Sequence, residues 1–144
     1  MAITTNAICN SFKKDTLDGL HDFAQTTGDV FKLALYTNSA TIGKSTTSFT
    51  TGNEVTSPAG YSSGGKALVN NGTSVASDTA IVDFADLSFT GVTLTSRGAL
   101  IYNTSASNKA VCVLDFGGDK TATAGTFTIQ FPAFTTSAAI IRIS

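Results

Sequence analysis

Arg97–Ser144, RGALIYNTSASNKAVCVLDFGGDKTATAGTFTIQFPAFTTSAAIIRIS, decides the fold. Four apolar runs lie within it: RGALIYN (97–103), KAVCVLDF (109–116), TFTIQFP (126–132) and AAIIRIS (138–144). Between them stand short stretches of Ser, Thr, Gly and Asn, which favour turns because they bond locally to the backbone or tolerate positive φ. The block therefore reads as four β-strands in succession. Val111 and Val113 alternate with Cys112 and Leu114, apolar on both sides, as in a central strand covered on each face. In TFTIQF, by contrast, Phe127, Ile129 and Phe131 fall on one side and Thr128 and Gln130 on the other, which predicts one wet face. Pro132 ends that strand, since it cannot donate to a ladder.

Towards the N-terminus the same pattern continues. KALV (66–69), TAIVDFADLSF (79–89) and VTLTS (92–96) predict three further strands, with NNGTS (70–74) as a turn. The β region opens at Val30, where Phe31, Leu33 and Leu35 point one way and Lys32, Ala34 and Tyr36 the other, as on a half-buried strand. About eight strands without a helical crossover favour an all-β, antiparallel, jelly-roll-like β-sandwich over a parallel α/β sheet. No internal repeat at a fixed period points to a solenoid.

Residues 1–29 read as an N-terminal helix or arm and 30–144 as the sandwich, one globular domain in all. Ala7, Ile8, Cys9 and Phe12 recur at helical spacing, with Asn6 placed to cap the first turn, predicting a short helix from Asn6 to about Asp15. Leu17, Leu20 and Phe23 continue the spacing, but Gly19 costs about 1 kcal/mol against Ala inside a helix, so this stretch reads equally as an irregular arm. Such a segment could reach a neighbouring molecule, and deleting residues 2–14 is expected to leave a soluble fold that assembles poorly. Asn38–Ser63 is a polar loop longer than the roughly 12–15 residues common in compact domains, and is a candidate contact surface.

At 144 residues the chain can bury about 68–70% of its unfolded surface without a metal or disulfide staple. Charged residues make up 13%, the net charge is −1, and the polar surface comes from 24 Thr, 15 Ser and 8 Asn. Without clustered Lys and Arg there is no footprint for nucleic acid or an anionic membrane. No stretch reaches the ~18 apolar residues of a transmembrane helix, and MAITTNAICNSFKK has no secretory pattern, so synthesis and folding are expected in a cytoplasm. The sequon matches at Asn71 and Asn103 are then chance. Cys9, in the predicted helix, and Cys112, in a predicted strand, are expected as buried free thiols.

Reactive motifs fail on context. Asp115-Phe116-Gly117 matches the kinase magnesium triplet, but the glycine-rich loop, strand lysine and HRD loop that must accompany it are missing from the sequence. A strand ending in a Gly-Gly turn, with Asp119 and Lys120 solvated in that turn, accounts for it. His21 is the only histidine, at no ligand spacing from either cysteine, and reads as a surface or packing residue. Asp78, Asp83 and Asp86 miss the calcium-loop pattern and read as solubilising charges at strand edges. GYSSGGKAL lacks the phosphate-loop spacing, so Gly60, Gly64 and Gly65 are turn glycines. No catalytic, cofactor-binding or metal-ligating residue is assigned.

Several strings add a resemblance. NAICNSFKK, FKLALYT, NEV followed by GY and a GG pair, AIVDFADLSF, RGALIYN, VLDFGGDK and TFTIQFPA resemble, over almost the whole chain, a family of small tailed-bacteriophage virion structural proteins. Phe89 stands where the family pattern carries Trp, which keeps an aromatic anchor. The resemblance implies a non-enzymatic particle component found in the virion. The first location it implies is a capsid decoration or cement protein bound to the major capsid protein as a homo-oligomer, with a trimer favoured. The alternative is a tail fibre or baseplate-associated module, bound to tail proteins and touching the host surface. A third reading, from a different class, is a small carbohydrate-binding or hydrolytic module, since β-sandwiches host both.

Overall fold

The computed structural model describes residues 3–56 and 59–144. Among them are strands β1 (Ala7–Ile8), β2 (Phe31–Tyr36), β3 (Lys66–Ala67), β4 (Asn70–Ala76), β5 (Thr79–Phe84), β6 (Leu87–Asn103), β7 (Lys109–Ile129) and β8 (Ile141–Ile143). A helix, α1 (Asn10–Leu17), follows β1. Five strands form one antiparallel sheet in the order β1-β7-β6-β2-β3, and three form a second in the order β4-β5-β8. The chain is thus the expected all-β, antiparallel sandwich with one short helix near its N-terminus. Rings join the layers: Phe31 of β2 lies 5.9 Å from Phe84 of β5 and 4.5 Å from Phe23, between centroids.

Of the four apolar runs, AAIIRIS alone holds a strand of its own, β8, and the other three are built differently. RGALIYN and the preceding VTLTS belong to one strand, β6, while KAVCVLDF and TFTIQF belong to another, β7. Gly117-Gly118 is a bulge, not a turn. Ser96 pairs with Lys120 and Gly98 with Asp115, so one step of two residues on β6 faces five residues on β7. Gly117, at φ 77°, supplies the left-handed conformation that a bulge or a turn needs alike, which is why sequence could not separate them. Beyond the bulge the ladder resumes, with hydroxyl pairs Thr95–Thr121 and Ser88–Thr128 at 2.8 and 2.9 Å. NNGTS is likewise not a turn but the start of β4, its register shifted at Gly72 (φ 84°). The β4–β5 turn falls instead on Ser77 and Asp78, both at positive φ, as a two-residue hairpin demands.

Asn6 caps nothing. Its side-chain oxygen accepts the Asp115 N–H at 2.6 Å, Ala7 and Ile8 pair with Val113 and Cys112, and α1 begins four residues later than expected. The outer edge of β7 offered a ladder to residues 7 and 8, and that tertiary pairing overrode their helical spacing. Helix α1 ends before Gly19 (φ 75°), leaving Leu17 and Leu20 exposed while Phe23 turns back into the core. Ile3, Cys9 and Phe12 are buried with it, and the Arg97 guanidinium donates twice to the Ile3 carbonyl, at 2.7 and 3.1 Å. Residues 3–29 therefore share the core of the sandwich, which reverses the expectation that 2–14 can be removed without unfolding. β2 also departs from its half-buried pattern: Ala34 and Tyr36 are as inaccessible as Leu33 and Leu35. The doubly covered run Ala110–Val113 in β7 and the wet side of Thr128 and Gln130 are as the sequence predicts.

Candidate functional site

The long loop is where the sequence placed a contact surface, and its geometry starts from a residue that sequence reading did not single out. Glu54 is buried, and its carboxylate is met from three directions. Oε1 accepts the Tyr61 hydroxyl at 2.8 Å and the Gly64 N–H at 2.6 Å, while Oε2 accepts the Ser63 hydroxyl at 2.8 Å. Tyr61 also accepts the Leu35 N–H of β2, and Tyr102 of β6 donates to the Gly64 carbonyl. Burial pushes the Tyr61 phenol far up and that of Tyr102 to about 12, so both remain protonated donors. Gly65, at φ 76°, packs so closely that a Cβ would overlap the Leu33 carbonyl. The NEV, GY and GG strings are thus one hydrogen-bonded lock closing the loop onto β2, and the turn role of Gly60, Gly64 and Gly65 stands. The backbone follows: Glu54 bridges to Tyr36 and Ser48 to Lys109. Ala40, Ile42, Val55 and Tyr61 are buried beneath the loop, whereas Lys44, Ser45 and Thr50–Asn53 face outwards. Ser57 and Pro58, within the predicted loop, lie outside the described residues.

A second polar cluster lies under α1. The His21 side chain is fully buried against Phe12, 4.9 Å between ring centroids, and Phe31, 6.4 Å. Its Nδ1 accepts from the Asn103 amide at 3.0 Å, which puts the proton of the neutral ring on Nε2. The other amide proton of Asn103 goes to Asp29 at 2.7 Å, and its Oδ1 caps the turn at Ser105 and Ala106. Nε2 faces Asp15 Oδ2 at 4.0 Å, too long for a hydrogen bond, and Lys109 Nζ approaches the same oxygen at 3.7 Å. Burial lowers the His21 pKa, with Asp15 and Asp29 pulling against it. His21 is therefore a packing residue. Asn103 is fully buried, so its sequon match offers no surface for a glycan.

The remaining candidates are dispersed. Asp115 holds Arg97 at 3.1 Å and accepts the Gly117 N–H, making the DFG triplet the fastening of the bulge. Asp119 and Lys120 are exposed as expected, although in a bulge and ladder rather than a turn. Asp83 is not a solubilising charge: it is fully buried, accepts the Phe84 N–H, and burial pushes its carboxyl up. Asp78 is a turn residue and Asp86 accepts the Phe131 N–H. Among the described residues no three His, Cys, Asp or Glu side chains are grouped to hold a metal. No described helix is long and apolar enough to cross a membrane. Cys9 and Cys112 are buried free thiols, Cys9 raised by burial to about 11 and Cys112 higher still. At neutral pH neither is a nucleophilic thiolate.

No family model, no curated protein and no solved structure matches this chain.

What the arrangement offers to a partner is therefore read from its surface. Two shallow grooves, of about 590 and 400 Å³, flank the outer edge of β7 beyond its pairing with β1. Phe116 and Ile129 line both, with Thr126, Thr128 and Gln130 supplying uncharged polar groups.

Proposed function

We propose that this chain is a non-enzymatic structural component of a tailed-bacteriophage virion, a decoration or cement protein bound to the major capsid protein as a homo-oligomer, with a trimer favoured. One observation carries the reading: the strings that resemble the virion family are the positions that fasten this fold. Glu54, Tyr61, Gly64 and Gly65 close the loop, while Arg97, Asp115 and Gly117 hold the N-terminal segment and the bulge. Segments with those roles suit a building block present in many copies. The net charge of −1 supports the same role, because copies crowded on a shell repel one another weakly. Many modest contacts, each weak alone, would sum by multivalency to reinforce the shell.

Copy number in purified particles, measured by quantitative mass spectrometry against the major capsid protein, tests this. On the order of hundreds of copies per particle supports decoration, and a dozen or fewer moves the chain to the tail. Absence from the particle overturns both locations, and a glycan array then tests the carbohydrate-binding reading.

A further inference from the structure

His21 stands between two partners and reaches only one of them. The segment 18–30 that carries it contains no helix or strand and joins α1 to β2. On one side, His21 Nδ1 accepts from the Asn103 amide at the end of β6, at 3.0 Å. On the other, Nε2 lies 4.0 Å from Asp15 Oδ2 of α1, and among the described residues neither of these buried atoms has a hydrogen-bond partner. Each has lost its water without a replacement, and the two face each other. Asn103, in contrast, is fully engaged. One of its amide protons goes to His21 and the other to Asp29 Oδ2 at 2.7 Å, while Oδ1 accepts the Ser105 and Ala106 N–H groups at 2.9 and 3.2 Å. Turning the amide over would aim its oxygen at the Asp29 carboxylate and strip both N–H groups of their acceptor.

A proton added to the imidazole therefore goes to Nδ1 and sets donor against donor across the 3.0 Å contact with Asn103. Three charged groups face the ring: Asp15 from α1, Asp29 from its own segment and Lys109 from the start of β7. Both carboxylates favour the cation, but Asp29 Oδ2 already accepts from Asn103 and from the Asp22 N–H. Asp15 Oδ2 is the acceptor left open. Lys109 Nζ, 3.7 Å from that oxygen, belongs to a side chain 39% exposed and can turn into solvent. We propose that His21 is a two-position latch: neutral, it fastens 18–30 to β6 through Asn103; protonated, it moves onto Asp15 and lets Asn103 go. Acid thereby loosens 18–30 and the turn at 104–106 while both sheets stay paired. The change reaches the start of β2, because the Val30 N–H donates to Ser105 Oγ and the Val30 carbonyl accepts from Thr104. Burial holds the His21 pKa below its ordinary 6.5, so the latch opens in acid and stays shut at neutral pH. None of this depends on a role in a particle.

NMR of the full ¹⁵N-labelled chain between about pH 7.5 and pH 5 tests it. The His21 ring nitrogens and the Asn103 side-chain amide are expected to shift together, with one midpoint below the ordinary histidine value. Across that midpoint, amide exchange at Ser105 and Ala106, corrected for its intrinsic pH dependence, should quicken about tenfold while Val111 and Val113 in β7 keep their protection. Asp15→Asn, of the same shape, removes the acceptor of the acid position and should move the midpoint to lower pH. Should that variant not fold, the wild-type chain still decides, through the coupling of the Asn103 amide to the His21 titration. A His21 ring that stays neutral to pH 5, an Asn103 amide that does not follow the ring, or a midpoint unmoved in a folded Asp15→Asn chain overturns the latch. So does loss of protection at Val111 and Val113 in step with His21, since the whole fold would then be opening.

Discussion

The loop Asn38–Ser63 and the N-terminal segment both read from sequence as places where another molecule would bind, yet the structure treats them in opposite ways. The loop is closed by a buried carboxylate whose two oxygens take three donors. The N-terminal layer also buries polar groups but leaves some of them unfinished: among the described residues Asp15 Oδ2, Thr16 Oγ1 and His21 Nε2 are buried without a hydrogen-bond partner. A satisfied buried network specifies one geometry, while an unsatisfied one costs the desolvation of each orphaned atom. The first region should therefore be rigid, and the second should be the part of the fold most responsive to pH.

The largest effect is expected from removing the N-terminal layer. Deleting residues 2–14 takes away Ile3, Cys9, Phe12 and the β1 ladder, and burial of large apolar side chains is worth about 1.5–3 kcal/mol each against a typical total of about 5–15. The truncated chain should fail to give a cooperative thermal transition; one that melts like wild type would restore the idea of a detachable arm. Gly65→Ala comes next, because it combines positive φ with overlap on backbone, and it should cost about 3 kcal/mol or more in urea unfolding. Glu54→Ala strips two buried donors, the Tyr61 hydroxyl and the Gly64 N–H, and the part-buried Ser63 hydroxyl of their acceptor, with an expected loss of about 3 kcal/mol. If it cost less than the deletion of an exposed threonine, the lock would be incidental.

A smaller effect concerns pH. The folded His21 pKa lies below its ordinary value of 6.5, so the unfolded chain takes up the proton first as pH falls. Its contribution to stability is present above about 6.5 and is lost below it. His21→Phe should flatten that part of the stability profile measured by urea unfolding between about pH 8 and pH 5; an unchanged slope would mean that the cluster does not titrate. Smallest is Asp83→Asn. Burial holds the folded carboxyl above its ordinary 3.8, so at neutral pH its ionised form is unfavourable in the fold. Removing the charge should leave stability unchanged or raise it by up to about 1 kcal/mol, and a large loss would show that the charge is needed.

Strand content was legible wherever alternation was strong, as in Phe127–Phe131, or wherever apolar runs were continuous, as in Ala110–Val113. Strand ends were not, because Gly72 and Gly117 adopt positive φ whether the chain turns back or merely bulges. In the sequence Glu54 stands out only as part of the NEV string, although its place between a hydroxyl-rich loop and Val55, with Tyr61 and two glycines close behind, holds the signal. His21 was legible as a packing residue; its partners Asn103, Asp29 and Asp15 were not, since they come from distant points of the chain.

By itself the sequence determined the class of fold, the lack of a charged footprint and the side of each clear strand that meets the core, because these depend on periodicity and composition along the chain. Only the tertiary structure decided that residues 7 and 8 pair as a strand, that VTLTS joins RGALIYN and KAVCVLDF joins TFTIQF in two long strands, and that a polar loop is locked by a buried acid. The strand pairings rest on partners far along the chain, and the lock, although Glu54 meets Tyr61, Ser63 and Gly64 within ten residues, is seated by the distant contacts Leu35–Tyr61 and Tyr102–Gly64; local propensity carries no information about such partners.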